Sequence, residues 1–268
     1  MGFFLLGAIR MSNFDPEWWR KIFDELYLAT DARSIANTEI TRVEVDLIEE
    51  LTEAEADDFI LDLCGGQGRH ALELARRGYR NVVVVDYSFP LLAYGVREAG
   101  GAKLNILFLR CDARCLCLKE SSIDHVVIMG NSFGYFRNDE DNCLIISEVA
   151  RVLKPGGKIV VDLVNRKYIV SQFRPQSWHE ADDDLIVCRD RKLESDGIVV
   201  REVVLSRQKG LIRDITYFSR LFKKVELLNI FRDAGFREVS FIDEFTPHKT
   251  RGDYGMLTNR TIVSAVAG

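Results

Sequence analysis

Two hydrophobic periods divide this chain. Over residues 15–29, Trp18, Trp19, Ile22, Phe23, Leu26 and Tyr27 recur at helical spacing, with Pro16 suited to a first turn. Residues 35–51 keep that period through Ile40, Val43, Leu47, Ile48 and Leu51. Short apolar runs then take over. Residues 59–63, 81–85, 104–111, 123–129 and 158–163 read as strands, and the unbroken NVVVV of the second marks burial on both faces. Between them, 69–77, 90–99 and 142–153 read as helices, the first stopped by Gly78.

This alternation predicts a mostly parallel sheet with helices on both faces. The pattern breaks after Asn165. Trp178, His179 and the acidic run EADDD read as loop. Residues 185–193, 198–206 and 211–218 read as antiparallel strands, with turn signals at Asp196-Gly197 and Lys209-Gly210. A helix over 222–234, stopped by Gly235, precedes strands over 239–245 and 261–267. The expected architecture is α/β: a Rossmann-like, mostly parallel seven-stranded sheet with helices on both faces, plus an antiparallel β cap or insert. Its expected parts are an N-terminal helical segment over 1–34 that can act as a lid, a core over 35–170 and 221–268, and the insert over 171–220.

Composition narrows the class. A chain of 268 residues with 47% hydrophobic and 29% charged side chains has the mix of an ordinary globule rather than a disordered chain. The 36 basic and 41 acidic side chains leave a net charge of -5, which gives no general nucleic-acid footprint. The run MGFFLLGAIRM is too short to span a bilayer and lacks the features of a secretory signal, and Met11 is a second candidate start. A cytoplasmic protein without a membrane partner is expected. Cys64, Cys111, Cys115, Cys117, Cys143 and Cys188 lack the spacing of a disulfide framework. Cys111, Cys115 and Cys117 form C-x-x-x-C-x-C rather than paired C-x-x-C, so no metal site is expected.

The chemistry gathers at predicted strand ends. DLCGGQG, residues 62–68, is a strand end followed by a glycine turn and a helix start, where free N–H groups face an anion. Gly66-x-Gly68-x-x-Ala71, with Asp86 twenty residues past Gly66, matches a loose dinucleotide fingerprint. That match leaves an NAD(P)-dependent oxidoreductase open. Asp62 argues against it. A carboxylate before the turn repels a pyrophosphate but can hold the ammonium of a methionine moiety. Asp86 suits two ribose hydroxyls under either cofactor. Asp112 can accept from an adenine amine.

In order, DLCGGQG (62–68), VVVVDYS (82–88), LRCDA (109–113), IDHVVIMGNSFGYF (123–136) and VLKPGGKIVVD (152–162) resemble the motifs of class I S-adenosylmethionine-dependent methyltransferases that act on small molecules. The resemblance implies S-adenosyl-L-methionine as cofactor. It assigns Asp62, Cys64, Gly65, Gly66 and Gly68 to the methionine end, and Asp86 with Tyr87 to the ribose. Asp112 with Ala113 would meet the adenine, and Met129, Gly130 and Asn131 would lie beside the sulfonium. It also implies one antiparallel strand in the final pair.

The implied reaction is in-line displacement at a methyl carbon, driven mainly by positioning, onto a nitrogen, oxygen or carbon of a small-molecule acceptor. His179 is a candidate general base, with a surface loop histidine as its alternative. Tyr135 is the other catalytic candidate. Trp18, Trp19, Tyr27, Phe133, Phe136, Trp178, Arg213, Tyr217 and Tyr254 are further pocket candidates, with core packing the alternative for the tryptophans of the first helix. MGNSFGYF contains no proline pair, which argues against amino-methylation of DNA bases. An RNA or protein acceptor and a noncatalytic cofactor-binding module remain alternatives. No oligomeric state follows, although the antiparallel insert offers an edge for pairing.

Overall fold

A computed structural model describes residues 14–31, 37–247 and 255–268. The apolar run at the start, the predicted helix start at Ile35 and Tyr254 lie outside the described residues. Helices α1 (Trp19–Ile22), α2 (Glu25–Thr30) and α3 (Thr38–Thr52) precede strand β1 (Phe59–Leu63). Then α4 (Arg69–Arg76), β2 (Asn81–Asp86), α5 (Phe89–Gly101), β3 (Ile106–Arg110), β4 (Ile123–Ile128), α6 (Asp139–Val152) and β5 (Leu153–Val164) alternate as predicted. After α7 (Arg166–Ser171) come β6 (Gln176–Glu180), β7 (Leu185–Leu193), β8 (Gly197–Ser206) and β9 (Gly210–Arg220). Helix α8 (Lys224–Asp233) leads to β10 (Phe236–Phe245) and β11 (Arg260–Ala267).

The large sheet has seven strands in the order β10-β11-β5-β4-β1-β2-β3. β11 runs antiparallel to both neighbours, and the pairs from β5 to β3 are parallel. Strand order reverses between β1 and β4, which opens a crevice at their C-terminal ends. Leu61 and Leu63 face α6 and α8 on one side of the sheet. Ile60 packs with Val45, Ile48, Ala71 and Leu74 on the other. Burial on both faces explains the unbroken valine run of β2.

Strands β6 to β9 form a separate four-stranded antiparallel sheet. Two expectations change here. The stretch with Trp178 and His179, expected as loop, is edge strand β6, paired with β7 from Gln176↔Asp190 to Glu180↔Ile186. Its half-buried positions alternate with exposed ones, a period that the short segment and the acidic run after it conceal. The single helix expected over 15–29 is instead two short ones. Asp24 is extended and its carboxylate caps the Tyr27 N–H, so it starts a second helix rather than continuing the first.

A buried ionic cluster ties the two sides of the core together. Glu44 of α3 meets Arg69 and His70 of α4, and its other oxygen pairs with Arg260 of β11 at 2.6 Å. Arg260 also pairs with Asp162 of β5, which accepts the Gly130 N–H at 2.9 Å. Burial alone would raise the Glu44 carboxyl, but Arg69, His70 and Arg260 hold it well below its ordinary range. Removing one partner leaves buried charge unpaired. Glu44→Gln should therefore cost about 3–5 kcal/mol in urea unfolding, and an unchanged midpoint would show that the cluster bears no stability.

His70 adds a pH dependence. Burial, then the Arg69 charge, push its imidazole down from 6.5 to about 4 despite Glu44. The unfolded chain takes up this proton and the folded chain resists it. Stability is thus fully present above about 6.5 and declines as pH falls toward 4, a slope that His70→Gln should reduce in unfolding measured against pH.

Candidate active site

The glycine turn is built over Asp62. β1 pairs with β2 up to Leu63↔Val85, and Cys64 then turns with φ 56° while its N–H donates to Val85 O at 2.7 Å. Asp62 lies directly beneath. A Cβ on Gly65 would come within 2.6 Å of the Asp62 carboxyl carbon, so no side chain fits there. Asp62 is fully buried. One oxygen accepts the Ala71 N–H at 3.3 Å, and the other, Oδ1, has no partner. Burial pushes this carboxyl up to about 7 against the pull of Arg69.

Asp86 holds the far side of the turn. Its oxygens accept the Gly66 N–H at 2.8 Å and the Ser88 N–H at 2.7 Å. Asp112 accepts from the guanidinium of Arg114, which also reaches Asp141. Although burial opposes it, these bonds hold Asp112 below its ordinary range. Tyr87 meets Trp19 edge to face at 4.8 Å.

These groups line one cavity. Asp62, Cys64, Gly65, Gly66, Asp86, Tyr87, Asp112, Ala113, Met129 and Gly130 contribute to its wall, and Trp19, Phe23 and Tyr27 close it from the N-terminal segment. Gly68 does not line it. With φ 72° it starts α4, and a Cβ there would sit 2.9 Å from Phe108. Cys64 is pushed well above an ordinary thiol by burial and nearby carboxylates, so it is no nucleophile. Asn131, expected beside the sulfonium, turns away from this cavity. Its Oδ1 accepts Val164 N–H at 3.1 Å and its Nδ2 donates to Ser219 at 3.3 Å.

A second cavity of about 340 Å3 lies beside the first, between the N-terminal segment and the inner face of the antiparallel sheet. Trp18, Asn131, His179, Arg189, Tyr217 and Ser219 are among its walls, together with Met256 and Leu257. Phe23, Tyr27, Gly130 and Tyr135 line both cavities. His179 Nε2 lies 3.5 Å from Thr30 O. Burial raises the Tyr135 hydroxyl well above its ordinary value, so it can donate a hydrogen bond but is a poor base. Several candidates fall elsewhere. Trp178 is 67% exposed, Phe133 is core against Phe222, and Arg213 pairs with Asp24. Among the described residues no group of three or more His, Cys, Asp or Glu is placed to hold a metal.

Arg69 is the residue that sequence reasoning missed. It lines the first cavity, with Nη1 held by Glu44 and Thr41 and Nη2 buried without a partner. A signal existed: a cation in the first turn of a helix opposes the dipole and needs a carboxylate nearby.

A model of the methyltransferase domain matches residues 60–157. A Bacillus subtilis (strain 168) protein that carries a methyltransferase name, YqeM, is 27% identical over 191 residues, 70% of this chain and 76% of that one. The demethylmenaquinone methyltransferase of Thermus thermophilus is 41% identical over 103 residues, 38% of this chain, and the match spans less than half, 45%, of that enzyme. A methyltransferase structure from Clostridium acetobutylicum ATCC 824 superposes with TM-score 0.70 at 18% identity, covering 86% of this chain and 91% of that one. Residues 60–157 thus carry a methyltransferase domain, and the findings together support an S-adenosylmethionine-dependent methyltransferase with the class I fold. CalS10, an amino pentose methyltransferase from Micromonospora echinaspora solved with S-adenosylmethionine bound, shares the fold with TM-score 0.64 at 16% identity over 85% of this chain and 90% of its own. Among the described residues no helix of this methyltransferase is long and apolar enough to cross a membrane.

The cavity fits the cofactor of the family. The orphaned Asp62 Oδ1 suits its ammonium, the orphaned Arg69 Nη2 suits its carboxylate, and Gly65 leaves room above Asp62. A cationic ligand favours ionised Asp62. Below pH about 7 the carboxyl must first lose a proton, so affinity for S-adenosylhomocysteine should fall as pH drops, approaching tenfold per unit. Calorimetry in buffers of different ionisation heat should register the released proton, and Asp62→Asn should flatten the profile. Arg69→Lys should weaken S-adenosylhomocysteine by about tenfold or more, while 5′-methylthioadenosine, which lacks the carboxylate, binds as before. Equal losses for both ligands would remove Arg69 from the carboxylate.

Proposed function

We propose that this enzyme methylates a nitrogen on a compact, polar small molecule seated in the second cavity. The observation that carries this reading is the meeting of the two cavities at Phe23, Tyr27, Gly130 and Tyr135. S-adenosylmethionine, when bound, supplies an electrophilic methyl on a sulfonium with a neutral leaving group. In this reading Asp62 and Arg69 hold its amino-acid end, Asp86 accepts from the ribose, and Asp112 with the backbone around Ala113 meets the adenine. Trp19, Phe23 and Tyr27 exclude water from the cavity.

The acceptor end favours an amine on charge grounds. Methylation of a neutral amine keeps the positive charge in the site, now on nitrogen. Aromatic faces at the junction favour that charge: Tyr135 packs 5.1 Å from Trp18 and 5.5 Å from Phe23. An alcohol would need a base where it reacts, and Tyr135 is raised rather than lowered. Polar groups suit a hydroxylated acceptor: Trp18 lines the cavity with its Nε1–H buried without a partner, and Arg189 is held between Asp31 and Glu202. His179 lines this cavity with Nε2 facing the Thr30 carbonyl, which leaves Nδ1 as the ring nitrogen able to take a proton from an arriving ammonium.

A second reading is carbon methylation of a quinol-type ring, which the identity to the demethylmenaquinone methyltransferase favours. The matched domain model ends at residue 157, before the antiparallel sheet that walls the second cavity, so the acceptor need not follow the relatives. Labelled methyl transfer should separate the readings. Amino sugars and other compact hydroxylated amines should take the label, and their alcohol analogues should not. Label in dihydroxynaphthoquinol rings, RNA or protein would overturn the nitrogen assignment, and cofactor binding with no acceptor would point to a noncatalytic module. His179→Ala should keep S-adenosylhomocysteine affinity and lower kcat by about 100-fold; full turnover across the pH range would remove it from proton transfer.

A further inference from the structure

The cofactor cavity carries a cluster of thiols that methyl transfer does not use. Cys111 follows β3 directly and contributes its side to the cavity wall next to Asp112 and Ala113. Its Sγ accepts the Cys117 N–H at 3.2 Å and donates to Cys115 O at 3.0 Å. The chain between Cys111 and Cys117 thus closes on itself around the Cys111 sulfur. All these cysteines are free thiols, Cys111 half-buried and Cys115 and Cys117 exposed.

We propose that Cys111 and Cys117 form a reversible disulfide that weakens cofactor binding. The inference rests on the assignment of the first cavity to S-adenosylmethionine. With Cys111 Sγ 3.2 Å from the Cys117 nitrogen, a side-chain rotation of exposed Cys117 and a small approach bring the sulfurs to the bonding distance of about 2.05 Å. The oxidant is a peroxide. Exposed Cys117 as thiolate attacks one peroxide oxygen, forms a sulfenic acid and releases water after protonation. Cys111 sulfur then attacks the sulfenic sulfur, loses its proton and expels the hydroxyl as a second water. Two thiols have lost two protons and two electrons, and hydrogen peroxide has become two waters. A thiol reductant reverses the change by exchange.

The loop cannot absorb this approach freely. Leu116 is buried, and its N–H donates to Glu148 at 2.6 Å. Arg114 binds both Asp112 and Asp141 of α6. A new bond across residues 111–117 therefore displaces the segment between these anchors, which holds Asp112 and Ala113 at the adenine end of the cavity.

The test is peptide mass mapping with and without hydrogen peroxide, paired with S-adenosylhomocysteine calorimetry on the same samples. A Cys111–Cys117 disulfide is expected, with affinity about tenfold weaker and restored by dithiothreitol. Cys117→Ser should bind equally in both conditions, and Cys115→Ser should behave as wild type. Failure of the pair to form, preferential pairing with Cys115, or a disulfide that leaves affinity unchanged would overturn the proposal. If the reduced protein does not bind S-adenosylhomocysteine, the cofactor assignment and this coupling both fall, while the mass map still reports on the disulfide.

Discussion

The unsatisfied carboxylate of Asp62 is the constraint around which the cofactor half of this enzyme is arranged. Leaving a buried polar oxygen without a partner costs about 1–3 kcal/mol, more if it is charged. Burial raises the carboxyl to about 7, so that holding a proton lessens that cost. The fold keeps the position open by placing Gly65 where a Cβ would touch the carboxylate. A partner for Asp62 must then come from the cavity side. The cofactor's ammonium has the charge and the donors to fill that vacancy.

Arg69 poses the complementary problem, and its solution reaches much further into the fold. Its guanidinium is largely buried, so a counter-charge must stand behind it. Glu44 supplies this from α3, and Glu44 is in turn balanced by Arg260, and Arg260 by Asp162. Asp162 also accepts from Gly130 at the end of β4. The cluster thus links the helix before β1, the glycine-turn helix and the antiparallel strand β11 to the backbone beside the methyl site. The antiparallel strand contributes a buried cation where two parallel neighbours alone would leave Asp162 unpaired.

Sequence legibility followed the range of the forces involved. Strands β1, β2 and β4 were readable because burial on both faces leaves a continuous apolar run, and strand-end acids fell where parallel strands must stop. Glycines 65, 66 and 68 read as one motif, yet Gly68 serves helix packing against Phe108 and not the cavity. Asn131 sits one residue past a cavity-lining glycine, and a φ of 60° turns its side chain to the other wall. That orientation depends on Val164 and Ser219, far away in the chain. Arg69 was hidden for the same reason: Glu44, twenty-five residues earlier, gives it its meaning. Edge strand β6 was missed because five residues with one paired side carry little periodicity.

The N-terminal helices raise a separate physical point. α1 and α2 have 4 and 6 residues, too short to be stable alone. They are fixed from both sides: Phe23 O accepts from Ser88 Oγ of the core, while Asp24 and Asp31 pair with Arg213 and Arg189 of the antiparallel sheet. Their rings wall both cavities. Trp18, Trp19 and Ile22 add a buried apolar cluster to these ties, so packing as well as polar bonds holds the segment in place. A segment tied to both sheets keeps its place only while the two sheets keep theirs. Phe23, Tyr27 and Tyr135 touch both cavities, so a change in the position of this segment alters the shape of the two together.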